Sequence, residues 1–177
     1  MRQYKRSPLT MEEQQKLENA CQSFKEKLVV WFLLDTGLRL SEFVNLKKED
    51  IQWQERRIKV YGKGGPFGKG SKLRVIPLTN RAFQLLESAF VMENSIKSLK
   101  LSKRNVAFVL QRVANRAMIT KKISPHVLRH TFAVSCIRKG MPTRVVQELL
   151  GHDHIETTEI YLNLSPDDVD KVFREKW

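Results

Sequence analysis

The sequence predicts an α+β fold that is mainly helical, with one small antiparallel β-sheet. Three observations carry this expectation. Helix-start residues precede helix-like runs at Thr10, Ser41, Ser102 and Ser124. Alternating segments rich in β-branched residues are confined to residues 51–78. The composition suits one packed core, with 177 residues of which 41% are apolar.

Residues 1–9 read as a basic arm or linker, and residues 10–177 as one domain. Thr10 followed three positions later by Glu13 has the capping-box form, so a helix starts there. Residues 11–34 form one or two helices, ending in an apolar run with Trp31 and Phe32 that Gly37 breaks. Ser41 can cap a short helix over 42–46, which puts Arg39 in the tight corner between two helices. Ile58 and Val60, then Leu73, Val75 and Ile76, flank a Gly-rich link at 62–70. They predict a β-hairpin or small sheet with a long basic tip. A helix follows over about 80–93. The polar stretch 94–103 is expected to be a mobile loop or internal boundary. Ser102 caps a helix to about Met118, and Ser124-Pro125 opens one that Gly140 stops. Pro142 opens the next, stopped by Gly151. Residues 156–162 form a short helix containing Tyr161, and Pro166 opens an amphipathic segment to Trp177.

Charge narrows the function. Thirty-two Lys and Arg face nineteen Asp and Glu, a formal +13 with a pI near 10.0. A compact body with that excess attracts polyanions and releases their counterions, so nucleic acid is the expected partner, with a basic surface that has no partner as the alternative. No apolar run approaches the roughly 18 residues of a membrane span, and the basic start leads into Glu12 and Glu13 rather than an apolar leader. A cytoplasmic, nucleoid-associated location is expected, with no membrane partner. Cys21 and Cys136 stand in apolar helical patterns and read as buried reduced thiols.

Taken singly, the chemistry-bearing residues are ordinary. An Arg beside a Gly is usually a surface charge, and a Tyr in an amphipathic helix is usually core. Their order is what matters. Thr36-Gly37-Leu38-Arg39-Leu40-Ser41-Glu42 precedes a hairpin bearing Gly62-Lys63-Gly64 and a strand ending Val75-Ile76-Pro77-Leu78. Then come His126-Val127-Leu128-Arg129-His130-Thr131-Phe132-Ala133 and Leu150-Gly151-His152, with Tyr161 nine residues on. From residue 10 to 177 this set resembles the phage-integrase or Xer-type tyrosine recombinases.

The resemblance implies an enzyme, a tyrosine site-specific recombinase that cleaves and rejoins DNA through a 3′-phosphotyrosine link. It assigns Arg39 and Arg129 to the scissile phosphate, a role that suits a permanently charged, forked guanidinium. His126 and His152 match the two active-site histidines, and Tyr161 the nucleophile. Lys63 matches the lysine that protonates the departing 5′ oxygen. The turn is longer than usual and repeats Gly-Lys-Gly, so Lys69 stands as the alternative. Glu42 matches an acidic position that holds Arg39 or a histidine in place, or else is an exposed helix-start carboxylate. His130 fits a helix-packing or backbone-bonded role better than a catalytic one.

No metal or other cofactor is expected: His152, His154 and Cys136 fit no usual zinc spacing, and the basic groups can supply the charge stabilisation. Lys63, Lys69, Lys72 and Arg74, with Lys121 and Lys122, are expected to touch the DNA backbone. The N-terminal core-binding domain usual in the family is expected to be absent from this chain. Residues 165–177 resemble the segment that builds a homo-tetramer on paired DNA sites, with packing on their own domain as the alternative. Two other readings remain: a type IB topoisomerase-like enzyme, and a catalytically silent DNA-binding relative.

Overall fold

The computed structural model describes residues 7–62, 73–91, 93–151 and 166–177. Several sequence expectations lie outside them: Lys63, Lys69 and Lys72 at the hairpin tip, His152 and His154, and the helix at 156–162 with Tyr161.

The chain begins with α1 (Met11–Asn19), where Thr10 accepts from the Glu13 N–H and Glu13 accepts from the Thr10 N–H. The expected capping box is therefore formed. After a turn at 20–23 comes α2 (Phe24–Thr36), capped by Ser23 and ended by Gly37 at φ +61°. Leu28, Val29, Val30, Phe32, Leu33 and Leu34 are all buried in α2. That wrap-around burial explains why the run has no polar stripe: α2 is the central helix, packed against α1, α4 (Asn80–Phe90), α5 (Lys103–Arg116) and α6 (Pro125–Arg138). Gly37 is required on two counts. Its left-handed φ disfavours a side chain, and a Cβ there would lie 2.4 Å from Cδ1 of Phe132.

The sheet is antiparallel in the order β1 (Ile51–Gln52), β2 (Arg57–Tyr61), β3 (Leu73–Pro77). Ile58 pairs with Ile76 and Val60 with Arg74, so the alternation turns these four inward together. The remaining helices are α3 (Leu40–Asn45), α7 (Thr143–Leu150) and α8 (Pro166–Lys176). Caps at Ser102 and Ser124 start α5 and α6 as expected, and Gly151 ends α7 at φ +62°.

Three expectations are corrected. The cap of α3 is Arg39 rather than Ser41, because the Glu42 carboxylate reaches back to the Arg39 N–H and starts the helix two residues early. Helix α4 ends at Phe90, three residues short of the expected limit. Residues 94–103 are no boundary: Ile96 and Leu101 are buried in the common core, and a short 3-10 turn, Lys97–Leu99, joins them. His130 is exposed but not without a partner.

Helix α8 packs on its own domain. Val169 and Phe173 are buried, and Trp177 stacks on Phe173 at 5.2 Å while meeting Phe132 at 5.7 Å. Cys21 and Cys136 are buried free thiols, each raised to about 12 chiefly by burial. Among the described residues no helix is long and apolar enough to cross a membrane.

Candidate active site

Three arginines from three distant stretches of chain meet at the C-terminal end of α7. A helix ends with carbonyls that lack an intrahelical partner and carry the negative end of its dipole. Here side chains satisfy those carbonyls. Arg74 Nε donates to the Leu149 carbonyl at 2.9 Å, Arg129 Nη2 donates to that of Leu150, and Arg39 Nη2 donates to that of Gly151 at 3.0 Å. Arg129 Nη1 also donates to the Gly37 carbonyl, at the end of α2, at 2.6 Å. The two left-handed glycine caps thus aim two helix ends at one guanidinium.

Each arginine is placed by local structure. Arg39 follows Gly37 by two residues, in extended conformation at the start of α3. Arg129 stands on the buried face of α6, one turn after His126, and that i, i+3 spacing puts the two on one side of the helix. His126 itself is exposed. Arg74 occupies the inward register of β3 beside Ile76.

Glu42 is the carboxylate of the group. Its side chain is only 6% exposed and takes a two-pronged bond from Arg74: Nη1 to Oε1 at 2.9 Å and Nη2 to Oε2 at 2.8 Å. It also accepts from Arg39 Nη1 at 3.0 Å and from the Arg39 N–H at 2.7 Å. Burial alone would raise the Glu42 carboxyl, but bonds and charge from Arg74, then from Arg39, outweigh it and hold it below the usual carboxylate value. Of the two readings for this residue, the exposed carboxylate is excluded: Glu42 is a buried clasp on Arg39 and Arg74.

The arithmetic of charge leaves an excess. Among the described residues two of the three guanidinium groups, those of Arg39 and Arg74, share one carboxylate, and Arg129 has none. Arg129 is 9% exposed, and its pKa is lowered to about 10 by burial first, then by the neighbouring charges of Arg39 and Arg74. It remains cationic at neutral pH. The Arg39 side chain is 38% exposed, so the cluster opens to solvent on that side. A buried cationic floor with a half-open cationic wall is a seat for an anion that accepts several hydrogen bonds.

The structure therefore brings together Arg39 and Arg129, with His126 on the face of α6 that carries Arg129. The description stops at Gly62, directly before Lys63, and at Gly151, directly before His152; Tyr161 also lies outside it. Two expected DNA-backbone contacts are corrected. Arg74 is buried in the cluster just described, and Lys121 donates to the Pro8 carbonyl at 2.7 Å and pairs with Glu13. The signal for Arg74 was present: the alternation that turns Ile76 inward does the same two residues earlier. Among the described residues no three His, Cys, Asp or Glu side chains gather as a metal-holding group.

Comparison with known proteins bears on this geometry. The model of the phage integrase family matches residues 8–167. The chain is 37% identical over 152 residues to tyrosine recombinase XerA of Thermococcus kodakarensis, covering 80% of this chain and 51% of that one. The crystal structure of a XerA recombinase superposes with a TM-score of 0.72 at 27% identity, over 95% of this chain and 64% of the other. XerH site-specific recombinase bound to difH substrate shares the fold, with a TM-score of 0.66 at 21% identity over 95% of this chain and 50% of that one. The chain spans about half the length of the curated relatives it matches. It belongs to the phage integrase family.

Proposed function

We propose that residues 10–177 are the catalytic unit of a site-specific DNA recombinase, which cuts and rejoins strands through a 3′-phosphotyrosine. The observation that carries this reading is the convergence of Arg39 and Arg129 on the end of α7, with more positive than negative charge among the described residues and the Arg39 side chain 38% exposed. A phosphodiester fits that demand. It is anionic, and its two free oxygens gain charge as phosphorus becomes five-coordinate, so fixed guanidinium groups stabilise the transition state more than the ground state.

In this proposal the Tyr161 oxygen attacks phosphorus, the bond from phosphorus to the 5′ oxygen breaks, and phosphorus keeps its bond to the 3′ oxygen. The leaving oxygen takes a proton from Lys63, or from Lys69 in the alternative alignment, a contribution of about 10²–10⁴ in rate. His126 and His152 donate to the phosphate oxygens or handle the tyrosine proton. Phenol is a weak nucleophile at neutral pH, which is why the cationic seat matters. The phosphodiester energy is retained in the link, so a second 5′ hydroxyl can rejoin the strand by the reverse step. Relatives named tyrosine recombinases, and a fold shared with XerH bound to difH substrate, support double-stranded DNA as partner. Strand exchange requires paired sites, so the working form is a homo-tetramer on DNA. Val169 and Phe173 of α8 are buried in their own domain, so docking them on a neighbour would require their release.

The test is a nicked suicide DNA substrate from which the cleaved fragment diffuses away. Wild type should form an adduct stable to denaturant, with or without chelator, and Tyr161→Phe should form none. Relaxation of supercoiled plasmid without strand exchange would favour the topoisomerase reading. Absence of any adduct in wild type would favour the silent relative.

A further inference from the structure

Glu42 presents a difficulty for the site as proposed. A buried carboxylate beside Arg39 competes with phosphate for the same guanidinium. Left alone with Arg39, it would form a two-pronged pair and neutralise the charge that the phosphate needs. The structure shows why this does not happen. Arg74 takes the fork-to-fork arrangement with Glu42, leaving Arg39 one side-chain bond to Oε1 and its backbone N–H to Oε2. Arg39 Nη2 is thereby turned to the Gly151 carbonyl instead.

Arg74 is also built in more firmly than its neighbours. Its side chain is 3% exposed, against 38% for Arg39. Its third bond fixes the Leu149 carbonyl. Gly151 packs directly on it: a Cβ at Gly151 would lie 2.9 Å from Cδ and 3.0 Å from Nη1 of Arg74. One side chain thus joins the β3 strand, the Glu42 clasp and the end of α7, two residues before His152.

We infer that Arg74 is a positioning residue: by occupying Glu42 it keeps Arg39 available to the scissile phosphate, and it sets the end of α7 against the sheet. The inference rests on the recombinase reading of the site. Its consequence is specific. The harm done by losing Arg74 comes through the Glu42 carboxylate, so removing that carboxylate relieves it.

The experiment compares wild type, Arg74→Met, Glu42→Gln and the double variant on the nicked substrate. Adduct formation is measured at saturating DNA, at a temperature where circular dichroism shows all four folded, and DNA affinity is measured separately. Arg74→Met should slow adduct formation by about 30-fold or more with DNA affinity changed by less than about 3-fold, because the loss falls on the transition state. The double variant should be within about 3-fold of Glu42→Gln alone, the non-additivity expected of side chains acting as one unit. Arg74→Lys should fall between wild type and Arg74→Met, since one ammonium cannot replace the three directed bonds. An unchanged rate per folded Arg74→Met molecule would reduce the residue to a structural role and overturn the inference. So would single losses that simply multiply in the double variant. A wild type that forms no adduct defeats the recombinase reading and the positioning role together.

Discussion

A cation that is nine-tenths buried with no carboxylate partner among the described residues is costly to enclose, and Arg129 offsets that cost with the ends of two helices. Its bonds go to the carbonyls of Gly37 and Leu150, where α2 and α7 concentrate negative partial charge. Burial and two neighbouring cations still lower its pKa to about 10. The sign follows. Below that value the folded protein carries the full penalty of a buried charge. As pH rises through about 10 the native state sheds the proton while the unfolded chain retains it, which relieves the penalty. An anion in the seat works in the opposite direction, because it favours the charged form. Binding of a short oligonucleotide phosphate should therefore have no Arg129-linked change from pH 7 to 8, and should fall as pH passes through about 10 by more than it does in Arg129→Gln, which keeps every other titrating group. Calorimetric titration across that range measures it, and affinity that rises through the same interval would contradict the anion seat. Arg39 and Arg129 stand out in the sequence because each sits in a dense local motif. Arg74 was misplaced because it was grouped with the tip lysines, although the alternation of β3 already turned it inward. The carbonyl partners had no signal at all: they are backbone atoms, and only the meeting of α2, α6 and α7 brings them to one point.

Helices were legible at the side-chain caps Thr10, Ser102 and Ser124, because a cap is a local bond that sequence order alone can specify, while the Ser23 cap that separates α2 from α1 was not read. The start of α3 was missed because its cap is made by Glu42 reaching backward from inside the helix. The stretch 94–103 was misread because polar composition hid two anchors, Ile96 and Leu101, whose burial depends on distant partners. Two substitutions test the packing of elements. Gly37→Ala forces a left-handed residue with a side chain against Phe132, which should cost about 2–4 kcal/mol in urea unfolding. It should also slow cleavage, since the Gly37 carbonyl would shift away from Arg129. Phe173→Ala removes the main apolar anchor of α8 and should cost about 3–5 kcal/mol if the helix packs in solution as it does here. A loss below about 1 kcal/mol would mean that α8 leaves its own core, as docking on a neighbouring copy requires.

For the whole molecule the governing quantity is its formal +13. A protein that binds DNA by neutralising six or more phosphates loses affinity with a slope of about −5 or steeper in log K against log salt. The account expects that slope, and one flatter than about −2 would point to a partner other than a polyanion. In the proposed reaction the arginine cluster seats the phosphate, and the decisive feature is which atom of the protein becomes bonded to DNA. Trapping the adduct on a nicked substrate, digesting it with protease and locating the nucleotide by mass spectrometry identifies that atom. The expected product is a phosphate joining the Tyr161 oxygen to a 3′ end, with a free 5′ hydroxyl on the released strand. A link at any other side chain, or a phosphate left on the 5′ strand, would contradict it.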